Sequence, residues 1–313
     1  MTKNQSHILN EEFSALSISK HEQEEILTQL RNNKERIKTN TKEYFDEETE
    51  KATVSTYYKA IDFPQLSPQE LYKKLQNLLE GTHKPVNYNP TRYLYSWVDL
   101  QQNGTLKSIY SGKIKTPEEV ITEDFKILTK RKTELETLLL KKSVGEDELE
   151  TYKRHIEHNN KLNCEHVVPQ SWFQKKEPMR GDLHHLFACD PPCNSMRSNY
   201  PYHDFPDYEG EVQIEGVRLQ CGKEEENLFE PEYAKGTVAR ATLYFLLRYP
   251  NKISNDRERA INIELLLKWN EEYPVSVYEK HRNHSIQEIQ GNRNPLIDFP
   301  THARKIDFSL FSS

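Results

Sequence analysis

Apolar positions are thin over residues 1–55 and periodic after them. Leu16, Ile18, Ile26, Leu27 and Leu30 make one narrow stripe on a polar, helix-prone stretch, which predicts a peripheral N-terminal extension, with a coiled-coil or partner helix as the alternative. Residues 56–313 then carry the pattern of one folded domain. Ser67, Pro68 and Glu70 stand at N-cap, N1 and N3 of a helix whose apolar face is Leu71, Leu75, Leu78 and Leu79 and which can end at Gly81. Tyr93–Leu100 reads as a strand, and the turn pair Asn103-Gly104 followed by Thr105–Tyr110 predicts a hairpin. Thr116, Pro117 and Glu119 repeat the capping pattern and open a long helix through Val120, Phe125, Leu128 and Leu135. Further helices are expected from Gly236 to before Pro250, from Ala260 to Trp269, and from Tyr278 to a stop at Gly291. The sum is an α+β chain, mostly helical, with a short antiparallel sheet.

Composition narrows the class. With 17 Tyr, 12 Phe and 3 Trp among 313 residues, the chain has too many large buriable side chains to be disordered throughout. No apolar run is long enough to span a membrane. The N-terminal MTKNQSHILNEEF has no apolar core of a secretory signal, which predicts a cytoplasmic protein, with export by a route lacking such a signal as the alternative. The net charge of −6 speaks against a protein that coats nucleic acid, yet a local basic cleft backed by a metal works on an acidic body.

Chemistry concentrates in residues 163–203, NCEHVVPQSWFQKKEPMRGDLHHLFACDPPCNSMRSNYPYH. A β-prone start at Glu165-His166, a loop with Lys175, Lys176 and Arg180, a second strand from Asp182 to Ala188, and a short helix over Ser195–Ser198 predict strand, loop, strand, helix. Glu165 and Asn194 can each give an oxygen to one hard divalent cation, which would keep several waters and positions open to phosphate. His166 alternates to the other side of the strand from Glu165 and has a natural pKa suited to taking a proton from water. A cation and a histidine in these roles make a phosphodiester hydrolase.

The segments EHVVPQSWF, DLHHLFACD and NSMRSNYPY, followed by KGTVARATLY, LLKWNEEYP and QGNRNPLIDFP, resemble the endonuclease I family of His-Me finger (ββα-metal) nucleases over roughly residues 60–308. The resemblance implies that His166 is the general base, that Glu165 and Asn194 hold Mg²⁺, or Ca²⁺ or Mn²⁺ in its place, and that DNA and RNA are cut with little sequence preference to 5′-phosphate products. A phosphate-clamping arginine is implied too; Arg180 in the loop and Arg197 in the helix are both candidates. His184 is expected to orient the site and His185 to be structural or solvent-facing. Arg240 either lines the cleft or packs a helix. Two other functions stay open at this point: a non-catalytic nucleic-acid-binding module with a degenerate site, and a sequence-specific homing or restriction-type nuclease.

Cys164, Cys189, Cys193 and Cys221 are the chain's cysteines. An antiparallel hairpin sets the start of its first strand beside the end of its second, so three of these thiols are expected to converge next to the finger. Three outcomes compete: a structural Zn²⁺ held by four thiolates, two disulfides, or free buried thiols.

Overall fold

The computed structural model describes residues 19–141, 146–208 and 220–312; Leu16 and Ile18 of the expected N-terminal stripe lie outside them. Helices dominate. α1 (Lys20–Thr39) and α2 (Glu47–Tyr57) precede α3 (Pro68–Thr82), and both α1 and α3 open on a full capping box, from Ser19 and from Ser67. The short α4 (Pro90–Tyr93) runs into a π-helical turn at Leu94–Val98. Two-residue strands β1 (Leu106–Lys107) and β2 (Ile114–Lys115) form a small antiparallel pair, and α5 (Pro117–Lys141) and α6 (Glu146–Asn159) follow. The finger consists of β3 (Cys164–His166), β4 (Leu186–Ala188) and α7 (Pro191–Arg197). A hairpin of β5 (Gly222–Glu225) and β6 (Leu228–Pro231) leads to α8 (Lys235–Arg248), α9 (Asn255–Glu258), α10 (Ile263–Glu272), α11 (Val277–Gln290) and α12 (Pro295–Asp298).

The strand expected over Tyr93–Leu100 is helical instead. Asn89 caps the turn by accepting from the Arg92 amide, and Pro90 occupies N1. Thr91, Leu94, Tyr95 and Val98 are then buried at helical spacing, while Arg92 stays exposed. The Asn103-Gly104 turn does form, with Gly104 at φ +78°, but it leads from the helical segment into β1. The second finger strand is also shorter than expected. The Asp182 carboxylate accepts from the His184 amide and winds Leu183–His185 into a 3₁₀ turn.

Two apolar cores flank the finger. The larger gathers α3, α8 and α10 and includes Phe187, Cys189 and Cys193. The smaller gathers α1, the π-helical turn and α5 and includes Cys164, Leu186 and Ala188. Successive β4 side chains point to opposite faces, so the strand is clasped from both sides. Each fully buried leucine in these cores stabilises the fold by about 1.5–3 kcal/mol.

The helical part of the expected 1–55 extension packs onto this body. Ile26, Leu30 and Ile37 of α1 enter the smaller core, Asn33 donates to the Ser96 carbonyl at 2.9 Å, and Glu50 of α2 meets Arg293 and His284. Among the described residues no helix is long and apolar enough to cross a membrane.

Candidate active site

The finger is assembled by pairing and by side-chain ties from its helix. β3 and β4 pair antiparallel with Cys164 opposite Ala188, Glu165 opposite Phe187 and His166 opposite Leu186. Pro191 and Pro192 begin α7, earlier than the expected Ser195 start; proline at N1 forfeits only an amide that has no helical partner. The helix is tied to β3 by Asn194 Nδ2, which donates to the Cys164 carbonyl at 2.7 Å, and by Arg197 Nη2, which donates to the Val167 carbonyl at 2.8 Å.

Those ties decide which atoms are left for chemistry. A carbonyl only accepts, so the Asn194 amide must turn its nitrogen toward Cys164, and its Oδ1 has no hydrogen bond among the described residues. Glu165 is buried and accepts at Oε1 from the Tyr110 hydroxyl at 2.8 Å, with Arg197 Nε at 3.4 Å from the same oxygen. The His166 backbone amide also favours the charged carboxylate, and neither Tyr110 nor Arg197 engages Oε2. Burial pushes the Glu165 carboxyl up to about 7, against the pull of Arg197 and the Tyr110 hydroxyl.

Glu165, Asn194 and His166 all line one cleft of about 1130 Å³. His166 Nε2 lies 3.0 Å from the Arg180 carbonyl, so that nitrogen carries the proton and Nδ1 keeps a lone pair. Burial, then the neighbouring His185, hold the imidazole well below its usual pKa, which keeps it neutral. Its ring centroid is 4.9 Å from that of Tyr88, and the Arg180 guanidinium carbon is 4.9 Å from the Tyr88 ring on its own account.

Tyr88, Tyr110 and Glu177 are site residues that sequence reasoning missed. Glu177 accepts from the Tyr88 amide at 3.4 Å with one oxygen and from the Gly181 amide at 2.9 Å with the other, which fastens the 174–182 loop to the segment before α4. Gly181 is required there, because a Cβ would fall 2.0 Å from the Val86 carbonyl oxygen. None of the three lies at a recognisable spacing from Glu165-His166; only the fold brings them in.

The phosphate-clamp expectation for Arg197 is corrected. Its side chain has no exposure and spends its nitrogens on Tyr110, Val167 and Ser198, so it braces Glu165 from beneath. Arg180 lines the cleft and keeps that candidacy. His184 and His185 are both buried, the first beside the Asn292 carbonyl at 3.2 Å and the second beside the Met179 carbonyl at 2.6 Å; His185 is not solvent-facing. Arg240 pairs with both oxygens of Glu279 at 2.7 and 2.9 Å inside the larger core, away from the cleft.

The four-thiolate zinc and two-disulfide expectations are both corrected: the structure holds one disulfide and two free thiols. Cys193 and Cys221 form a disulfide, while Cys164 and Cys189 are free and buried. Cys189 follows the residue paired with Cys164, so strand alternation sends the two thiols into different cores. Among the described residues no group of three or more His, Cys, Asp or Glu side chains is placed to hold a metal. Glu165 and Asn194 suit a hydrated hard cation that needs few protein ligands: a carboxylate and an amide line the same cleft.

Comparison with known proteins places this finger in a defined class. The Endonuclease I family pattern matches residues 68–301, and the chain belongs to that family. It is accordingly a nuclease, and divalent-metal use goes with the family. It is 28% identical over 167 residues to an extracellular deoxyribonuclease of Aeromonas hydrophila, covering 47% of this chain and 70% of that protein. It is 29% identical over 183 residues to Endonuclease-1 of Buchnera aphidicola subsp. Baizongia pistaciae, covering 50% and 71%. An extracellular ribonuclease of Bacillus amyloliquefaciens is 34% identical over 160 residues, covering 46% and 53%. These names overturn the expected cytoplasmic location, since relatives from separate genera are called extracellular. A disulfide beside the finger agrees with an oxidising compartment.

Proposed function

We propose that this nuclease hydrolyses both DNA and RNA outside the cytoplasm, with little sequence preference, to products ending in a 5′-phosphate. One observation carries the reading. The Glu165 carboxylate, the Asn194 amide oxygen and the His166 imidazole line a single cleft, and among the described residues Asn194 Oδ1 and His166 Nδ1 have no hydrogen bond. The surrounding charge supports it. Lys126, Lys130, Arg131, Lys161, Lys175 and Arg180 line that cleft, and Glu165 is the one carboxylate among the described residues lining it, on a chain of net charge −6.

In this mechanism Glu165 and the Asn194 amide oxygen would hold the cation, for which Mg²⁺ is the proposed ion. When bound, the ion supplies positive charge against the phosphate oxygens. His166 Nδ1 takes the proton of the attacking water. Its Nε2–H stays on the Arg180 carbonyl, which fixes the ring and favours the tautomer the step requires. Arg180 offsets charge on the phosphate as the water oxygen bonds to phosphorus and the bond to the 3′-oxygen breaks. The cleft is open to solvent, which supplies the proton for the departing 3′-oxygen. No 2′-hydroxyl takes part, so ribose and deoxyribose strands are equivalent at the reacting centre.

The test is digestion of plasmid DNA and of a structured RNA with Mg²⁺ and again after chelation. Loss of both polymers with metal and of neither with EDTA is expected, with a smear instead of discrete fragments from long DNA. Cleavage of DNA that continues undiminished in EDTA overturns the metal assignment. Discrete fragments overturn the nonspecific reading.

A further inference from the structure

The cleft has a second wall that the proposed mechanism does not use. α5 runs along it, and Lys126 and Lys130 project from that helix into the lining. Four residues apart, they lie on one helix face, about 6 Å from each other along the axis. That is of the order of one to two phosphate steps along a strand, which rises about 3.4 Å per charge. Both side chains are exposed, and neither has an internal task. Lys126 has no ion pair among the described residues, and Lys130 has only a loose contact of 3.8 Å with Glu134 one turn on, a kind of surface pair that contributes little.

The helix that carries them is bolted to the catalytic strand. Asp124 accepts at Oδ1 from both the backbone amide and the side-chain amide of Asn163, each at 2.9 Å, and at Oδ2 from the Tyr95 hydroxyl at 2.8 Å. Asn163 immediately precedes Cys164 and Glu165. Next to Lys130, the Arg131 guanidinium is buried and donates to the Asn160 carbonyl. The two lysines are therefore held at a fixed offset from Glu165 by buried hydrogen bonds on either side of them. The cleft, at about 1130 Å³, also exceeds the roughly 300–1,000 Å³ typical of small-molecule pockets.

Resting on the nuclease reading above, we infer that Lys126 and Lys130 form a remote phosphate rail. The rail grips the sugar–phosphate backbone away from the scissile bond and makes the enzyme prefer polymers to short oligonucleotides. It reads phosphate alone, so it serves DNA and RNA alike.

The experiment compares K126Q/K130Q with K73Q/K74Q, which removes the same charge from exposed positions on α3 outside the cleft. Binding of a labelled 30-nucleotide DNA, and separately of the matching RNA, is titrated against salt in a His166→Ala background. Cleavage of plasmid and of a tetranucleotide is measured with His166 intact. For K126Q/K130Q the slope of log K against log salt should fall by about 1.4, two phosphate contacts at about 0.7 each on a single strand, with both polymers. Plasmid turnover at sub-saturating substrate should drop about tenfold or more, while tetranucleotide cleavage and the melting temperature hold. K73Q/K74Q should leave the slope within experimental error of the parent. An unchanged slope in K126Q/K130Q, or an equal fall in both variants, overturns the rail. The nuclease reading fails on a different arm, when the parent chain with Mg²⁺ cuts neither plasmid nor tetranucleotide.

Discussion

Two buried polar clusters sit within one short stretch of chain, and they differ in what they leave open. At Asp182 both carboxylate oxygens are consumed. Oδ1 accepts from the His184 amide and Gln290 Nε2, and Oδ2 accepts from the hydroxyls of Tyr244 and Tyr249, each at 2.8 Å. At Glu165 the side chains of Tyr110 and Arg197 engage a single oxygen, and no second side chain closes the carboxylate off from the cleft among the described residues. Both clusters hold carboxylates and histidines with little or no exposure, so residue type and burial do not tell them apart. The difference lies in lone pairs. A closed network cements the DLHHL turn to α8 and the α11 terminus, whereas the finger keeps acceptors facing a cleft at the cost of burying a carboxylate.

The sharpest break between the two clusters is predicted for kinetics. His166→Ala should lower kcat by about 10²–10⁴-fold, the ordinary contribution of a general base, with the melting temperature close to the parent. Equal losses of activity and stability would place His166 with the structural histidines. Asp182→Ala should do the reverse. It orphans four donors in the interior and should cost about 3–5 kcal/mol in a denaturant melt, while any folded fraction keeps its turnover per molecule.

Acid sharpens the same contrast. Burial alone would raise the Asp182 carboxyl, but His83, His184 and His185 and the Gln290 amide outweigh it and hold the group well below the usual carboxylate range. A carboxyl depressed in the folded state contributes stability that is fully present above its unfolded pKa of about 4 and is lost as pH falls toward the folded value. The stability gap between the parent and Asp182→Asn should therefore be widest above about pH 4 and should close as the pH drops further. A gap that widens in acid would contradict the depressed carboxyl.

Next in size is the disulfide. Cys193 and Cys221 are 28 residues apart, so the chain-entropy account assigns the crosslink about 3.5 kcal/mol, a sum that native-state relaxation reduces in practice. Cys193→Ser/Cys221→Ser should melt earlier and be indifferent to reductant, whereas the parent should shift on reduction to match it. The smallest effect is expected at Glu177. Glu177→Gln keeps an acceptor for one of the two amides, and its kcat should fall about tenfold or less, with the fold intact, because only the setting of Arg180 and His166 loosens.

Much of this was legible in the chain, and the reasons are local. The helices opening at Pro68 and Pro117 are announced by their caps, and the stop of α11 at Gly291 by a residue that takes φ +82° without strain. The order strand, loop, strand, helix around Glu165, His166 and Asn194 is written in β-prone runs and turn residues. What could not be read depends on tertiary contacts. Tyr95 and Val98 look β-like by residue type until the Asn89-Pro90 cap and the helical spacing of the buried positions are known. Arg197 resembles a phosphate ligand in a motif until its nitrogens are traced to Tyr110 and Val167. Cys164 and Cys189 look convergent in register, yet their side chains enter opposite cores. Tyr88 and Glu177 come from segments 89 residues apart and meet through one pair of backbone amides and a carboxylate.

Crystals grown with Mn²⁺ and measured for anomalous scattering at the manganese edge address the central proposal most directly. The account predicts one strong peak within bonding distance of both the Glu165 carboxylate and Asn194 Oδ1, on the cleft side of β3 and close to His166. A peak centred elsewhere, or one that ligates the His166 imidazole in place of the Asn194 amide, would contradict it.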